Sequence, residues 1–312
     1  MHVNRGFLMD EVQIAVLLST YNGFPYISDQ VDSVLNQILE DGISLHLFIR
    51  DDGSHDGTLD YLKNLQNDER VTVSFGENIG VAASFFSLLN DTPEFYDYLA
   101  LCDQDDVWLQ DKLMRAIGEL NRSNMGENEP LLYCSEYYFC DSDLSVVSKS
   151  KLNKSGVSFQ KMLYENPCSG NTMVLNKKLH QILNQIGYEV CGWHDWWIAL
   201  VASAFGNIVY DDYPSLYYRR TGDNASATGT SFVKVMAQRF KTFGKGDGLA
   251  FVKKQLRHLY SYKRDISSRE RLSLLETSVE GNCWSKAFHS GRYRQSLPGE
   301  ITVRLLLLFQ IL

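Results

Sequence analysis

Apolar residues fall along this chain in two alternating rhythms. Val12–Ser19 (VQIAVLLS) is a short apolar run closed by Thr20-Tyr21-Asn22-Gly23, which predicts a buried strand ending in a loop. Ile27, Val31, Val34, Leu35, Ile38 and Leu39 then recur at the spacing of a helix with one core face. Leu45, Leu47 and Ile49 alternate as a second strand, which stops at Asp51-Asp52-Gly53. Helix TLDYLKNL, strand VTVSF and helix VAASFFSLL follow. The strand Tyr98–Cys102 then runs directly into Asp103, Gln104, Asp105 and Asp106, with a helix start expected just after Trp108. Further strands are predicted over LLYCSEYYFCD and within PCSGNTMVLNKKL. The segment CGWHDWWIALVASAFGN reads as an apolar helix headed by His194 and Asp195. IVYDDYPSLYYRR reads as a strand, a Pro turn and a second strand ending at Arg219-Arg220. Strands alternating with helices of this length predict an α/β fold on a parallel sheet, whose ligands bind beyond the carboxyl ends of the strands. Ser19, Asp51, Asp52, Asp103 and Asp105 all fall at such ends.

Composition changes that picture in one respect. With 312 residues, 44% hydrophobic and 22% charged, the chain is ordinary for a globular protein and long enough for one large domain with an appendage. The net charge of −8 conceals a split: residues 1–225 hold 15 Lys and Arg against 32 Asp and Glu, whereas residues 226–312 hold 15 against 6. Two regions facing different partners are therefore expected, an acidic domain over 1–225 and a basic helical extension over 226–312, with the boundary near 225–230 in the small-residue stretch GDNASATGTS. The N-terminus lacks the shape of a signal peptide, so export is not expected. Six cysteines without any C-x-x-C pair read as reduced thiols of a cytoplasmic protein. No nucleic-acid partner is expected.

The acidic run after Cys102 poses the chemical question. Crowded carboxylates repel one another unless a positive charge sits among them. They are either a solvated turn, with Asp106 capping the next helix, or a cation site. Asp51-Asp52-Gly53-Ser54 is strong turn chemistry, with Asp51 the more structural of the pair. Asp195 at a helix head is either an N-cap or, within reach of a hydroxyl, a general base.

Five blocks in order (STYNG, IRDDGSHDGT, NIGVAASF, LCDQDDVWLQDKL and GWHDWW…YRRTGDN) resemble family-2 glycosyltransferases of the GT-A fold, most nearly bacterial rhamnosyltransferases of surface polysaccharides. The resemblance spans about residues 12–225. It implies a mixed α/β sheet binding a nucleotide sugar, with dTDP-rhamnose as donor, although UDP-hexose enzymes share every block. It implies that Ser19, Tyr21 and Asp52 contact the nucleotide, and that Asp103 and Asp105 form a D-x-D holding Mn²⁺ or Mg²⁺. Asp195 would be the catalytic base. Arg219 is a candidate for the diphosphate, and His194, Trp193 and Trp196 for acceptor or sugar contacts, with at least one of the neighbouring tryptophans in the core. The sequence departs from the family where Arg220-Thr221 replaces a common Gln-His pair.

Two rivals fit less well. A nucleotidyltransferase usually carries a basic Gly-rich loop after the first strand, which STYNGFPY lacks. A non-catalytic glycan-binding module would have lost Asp105 or Asp195. The basic tail has two readings: an amphipathic element on an anionic membrane, with Arg292, Arg294 and Arg304 near headgroups, or a packing element against the catalytic domain or a second subunit of a homodimer. The run Leu305–Phe309 is too short to span a bilayer. The acceptor implied is a glycan or lipid-linked glycan.

Overall fold

In a computed structural model, residues 11–123, 129–188, 192–220 and 247–312 are described. Nine strands form one mixed sheet: β1 (Val12–Thr20), β2 (Ile43–Asp51), β3 (Val71–Phe75), β4 (Tyr98–Cys102), β5 (Val107–Trp108), β6 (Leu131–Cys140), β7 (Val146–Lys149), β8 (Val174–Asn176) and β9 (Asn207–Arg219). Their order is β3-β2-β1-β4-β8-β6-β9-β5, with β7 pairing β6. The β3-β2-β1-β4 half is parallel, as strand–helix alternation predicts. Beyond β4, the strand β8 enters antiparallel to both β4 and β6.

Two local expectations change. The expected Pro turn within IVYDDYPSLYYRR is absent: β9 runs through Pro214, and register shifts opposite Ser135–Tyr138 absorb it. The residues after the acidic run form β5, paired antiparallel to Leu216–Tyr217, and the next helix starts only at Lys112.

The helices are α1 (Ile27–Leu35), α2 (Thr58–Leu65), α3 (Val81–Asp91), α4 (Lys112–Arg122), α5 (Phe159–Met162), α6 (Lys177–Ile186), α7 (His194–Phe205), α8 (Asp247–Ser261), α9 (Arg269–Glu280), α10 (Cys283–Ala287) and α11 (Leu297–Leu308). Alternate residues of the strands feed two cores. Val16 and Leu18 pack with Val31, Val34 and Leu62 in one cluster, and Leu17 and Leu101 with Phe85 and Trp197 in the other.

The C-terminal helices belong to the second cluster, through Leu256, Leu259, Leu275, Val303 and Leu307. Each fully buried side chain of this kind is worth about 1.5–3 kcal/mol, so the helices of residues 247–312 are held firmly to the same core as the sheet. The boundary expected near 225–230 lies outside the described residues. Two of the arginines assigned to headgroups are also committed inside the protein. Arg294 pairs with Glu165 at 3.2 Å, and Arg304 pairs with Glu300 at 2.6 Å while donating to the carbonyls of Ala287 and His289. Arg292 is exposed. Among the described residues, no helix is long and apolar enough to cross a membrane.

Candidate active site

Register builds the site. β1 and β2 pair through Thr20↔Asp51, and β1 and β4 through Leu18↔Cys102. The segments Tyr21–Gly23, Asp52–Ser54 and Asp103–Asp106 therefore leave the sheet side by side.

The acidic loop is tied down at each residue. Gln104 Oε1 accepts from Thr20 Oγ1 and from the Tyr21 amide, both at 2.7 Å, which locks the loop to the end of β1. A Cβ on Gly23 would lie 2.9 Å from Gln104 Oε1, so this close approach needs glycine. Asp106 is fully buried and does not cap the next helix; it accepts from Asn171 Nδ2 at 2.6 Å. Lys112 is also fully buried. Its ammonium donates to the Asn171 carbonyl and lies 3.8 Å from the centroid of the Trp108 ring. Burial pulls the Lys112 pKa down to about 7, opposed by Cys102, Asp106 and Asp103, and its charge in turn offsets a small part of the rise at Asp103 and Asp106. Lys112, Gln104 and Asn171 were not singled out from the sequence. Lys112 was the nearest basic residue to the acidic run, and that proximity was the available signal.

Asp103 and Asp105 keep partial access to solvent. Burial raises both above the ordinary carboxylate range, and repulsion from Asp105 and then Asp195 adds to it at Asp103. The third carboxylate arrives from α7. Asp195 is not the N-cap, a position held by Trp193; it sits in the first turn with Oδ1 accepting from the Trp196 amide at 2.7 Å. Burial pushes its carboxyl up to about 6, against hydrogen bonds that include the Asn166 side chain.

These carboxylates fit a divalent cation. Two hard oxygen donors with residual solvent access, held where they destabilise each other's charge, suit Mg²⁺ or Mn²⁺ shared with substrate phosphates. Among the described residues, no three His, Cys, Asp or Glu side chains are grouped to enclose a metal unaided. Substrate oxygens and water would complete the shell.

Other expected contacts are placed differently. Arg219 is 3% exposed: Nε donates to the Asp105 carbonyl at 3.1 Å, Nη1 to the Ser142 carbonyl at 2.6 Å and Nη2 to Asp29 at 2.8 Å. Its guanidinium fork serves the loop rather than a diphosphate. Asp52 is equally buried. Its carboxylate binds Arg50 and accepts from the Ile79 and Gly80 amides at 2.9 Å, so it holds the loop before α3 instead of facing a ligand. Asp51 forms the turn, accepting from Gly53 and Ser54, with Gly53 at φ +83°. His194 is 8% exposed and stacks on Phe85 at 4.2 Å; burial drops its pKa to about 3, and among the described residues neither ring nitrogen has a hydrogen-bond partner. Trp196 donates to the Met162 carbonyl and packs edge-on against Phe251, and Trp197 is the core tryptophan. Ser19 bonds Ser84 at 2.6 Å, whereas the rings of Tyr21 and Trp193 are open to solvent.

The mixed sheet with flanking helices is that of the GT-A glycosyltransferases, and it brings Asp103 and Asp105 at the end of β4 near Asp195 of α7. Residues 15–131 match the family model described as glycosyl transferase family 2, and the similar proteins that follow are named as glycosyltransferases. It is 27% identical over 229 residues to the dTDP-rhamnosyl transferase RfbG of Shigella flexneri, covering 69% of this chain and 75% of that one. It is 36% identical over 106 residues to a putative teichuronic acid biosynthesis glycosyltransferase, TuaG, of Bacillus subtilis, spanning 33% of this chain and 40% of that one. The crystal structure of S. aureus TarS 1-349 in complex with UDP-GlcNAc superposes with a TM-score of 0.55 at 13% identity, covering 91% of this chain and 93% of that chain. The mannosyltransferase PcManGT from Pyrobaculum calidifontis, in complex with GDP-Man and Mn²⁺, superposes at 0.51 with 16% identity, covering 96% and 80%.

Proposed function

We propose that this enzyme transfers L-rhamnose from dTDP-rhamnose, with inversion, to a glycan or lipid-linked glycan of a surface polysaccharide, working on the cytoplasmic side of the membrane. The observation that carries the donor is the likeness to the dTDP-rhamnosyl transferase, which extends over 69% of the chain, well beyond the 15–131 family segment. The chemistry rests on the convergence of Asp103, Asp105 and Asp195.

Asp195 accepts the proton of an acceptor hydroxyl as that oxygen bonds to the anomeric carbon. The bond from that carbon to the diphosphate breaks on the opposite face, so configuration inverts. A divalent ion on Asp105 and Asp103 would supply Lewis acidity to the departing diphosphate. Ser19 and the Tyr21 ring line the nucleotide side. Trp193, exposed two residues before Asp195, offers an apolar face to the acceptor sugar.

A donor-hydrolysis screen with Mn²⁺ and Mg²⁺ tests this reading. dTDP-rhamnose should be turned over in preference to UDP-glucose and UDP-galactose, and a chelator should stop the reaction. Preference for a UDP-hexose would overturn the donor assignment. Unchanged metal-assisted nucleotide binding in Asp105→Asn would overturn the metal role.

A further inference from the structure

The C-terminal helices and Tyr164 line a cavity of about 330 Å³ to which none of Asp103, Asp105 and Asp195 contributes. Lys253 and Arg257, one turn apart on α8, line it together with Lys286 of α10, and no Asp or Glu side chain does. Among the described residues, none of the three cations enters an ion pair. Burial, followed by repulsion from Lys253 and Arg257, holds the Lys286 ammonium below its usual range. Such a cluster is short of negative charge.

Val252, Leu256 and Leu307 supply apolar parts of the wall, beside polar Ser278, Asn282 and Gln310. The same two helices that contribute Lys286 and Leu307 also carry apolar side chains into solvent. Trp284 and Phe288 are 65% and 67% exposed and stack with centroids 5.7 Å apart; Leu305 and Phe309 are 48% and 73% exposed. Exposed aromatic and aliphatic groups beside a cationic pocket mark an interaction surface.

We propose that this cavity binds the phosphate of a phosphate-bearing amphiphile, held by Lys253, Arg257 and Lys286, while Trp284, Phe288, Leu305 and Phe309 enter the apolar layer around it. Guanidinium and ammonium groups match phosphate oxygens, and tryptophan favours the boundary between headgroups and hydrocarbon. A second copy of the chain fits this surface less well, because a two-fold contact would set the cationic cluster against its own image. The source of the phosphate is a bilayer lipid, since the apolar ridge has no role toward a soluble anion.

Co-sedimentation of the full chain with phosphatidylcholine vesicles, with and without phosphatidylglycerol, tests the site. The protein should bind the anionic vesicles. The Lys253→Gln/Arg257→Gln/Lys286→Gln variant should lose affinity by about fivefold per charge removed. Trp284→Ser/Phe288→Ser should weaken binding with the charges intact, and single Arg257→Gln, at an exposed position, guards against misfolding of the triple variant. Equal binding by wild type and charge variants overturns the proposal. Calorimetric binding of inorganic phosphate, lost in the triple variant and unaccompanied by vesicle binding, overturns the lipid source. A dimer abolished by Trp284→Ser/Phe288→Ser, without vesicle binding, overturns it in favour of a protein interface.

Discussion

Arg219 donates from Nε to the backbone carbonyl of Asp105 at 3.1 Å, so the last residue of β9 fixes a loop 114 positions earlier in the chain. The same guanidinium reaches α1 through Asp29 and the β6–β7 turn through Ser142. Arg219→Lys keeps the charge but cannot make three divergent bonds. We expect a stability loss of about 1–3 kcal/mol, from buried carbonyls left without donors, and weaker metal-assisted nucleotide binding. Thermal unfolding and calorimetry with a nucleoside diphosphate check this. Unaltered nucleotide affinity would remove Arg219 from any positioning role.

Asp195 yields a pH prediction with opposite signs for activity and stability. Burial raises its carboxyl to about 6, so its base form dominates only above that value, and kcat/KM should fall as pH drops through about 6. The folded state holds this proton more tightly than the unfolded chain. Its stabilising contribution is therefore full below the unfolded value of about 3.9 and is lost as pH rises through about 6. Asp195→Asn should cost about 10²–10⁴-fold in turnover while gaining up to about 3 kcal/mol of stability at neutral pH in the donor-free protein. A variant that keeps normal turnover would remove the base assignment. His194 stays neutral across this range and contributes no limb to the profile.

Lys112 is the buried counter-charge of the acidic loop. Lys112→Met preserves the stem but removes the donor to the buried Asn171 carbonyl and a charge that favours the ionised form of Asp106, and should destabilise the fold by about 1–3 kcal/mol. Adding Asp106→Asn should recover part of that loss, because a neutral amide needs no nearby cation. Urea unfolding of both single variants and the double variant measures the coupling; strictly additive losses would show that the two residues act separately.

Gly170 packs closely against the head of α7. A Cβ there would lie 2.8 Å from His194 Nε2 and 3.4 Å from Asp195 Cβ. Gly170→Ala should shift the head of α7 and lower turnover by up to about 10²-fold with little change in nucleotide affinity, since misplacing a catalytic group carries that scale of loss. Gly170→Ala/His194→Ala should regain much of it by vacating the space. Failure of the second substitution to rescue turnover would show that the contact does not govern Asp195.

Much of this protein was determined by the sequence alone, because it follows from local pattern. Period-two and helical spacings placed the strands and helices of the parallel half, where side-chain burial repeats within a few residues. The carboxylates at strand ends were legible for the same reason, since a strand's end is marked by the turn chemistry that follows it. Tertiary structure decided which polar residues face outward. Asp51, Asp52, Asp103, Asp105 and Asp106 are chemically alike in sequence, but Asp52 and Asp106 are consumed by Arg50, Asn171 and backbone amides brought from distant segments. Arg219 and His194 turned inward likewise, and Pro214 was absorbed in a continuous strand because β6 could shift register opposite it. The basic tail divided the same way. Its charge was visible in composition, but whether each cation met a carboxylate depended on packing: Arg294 and Arg304 found Glu165 and Glu300, and Lys253, Arg257 and Lys286 were gathered around a cavity. Composition conserves the number of charges, and only the fold assigns them partners.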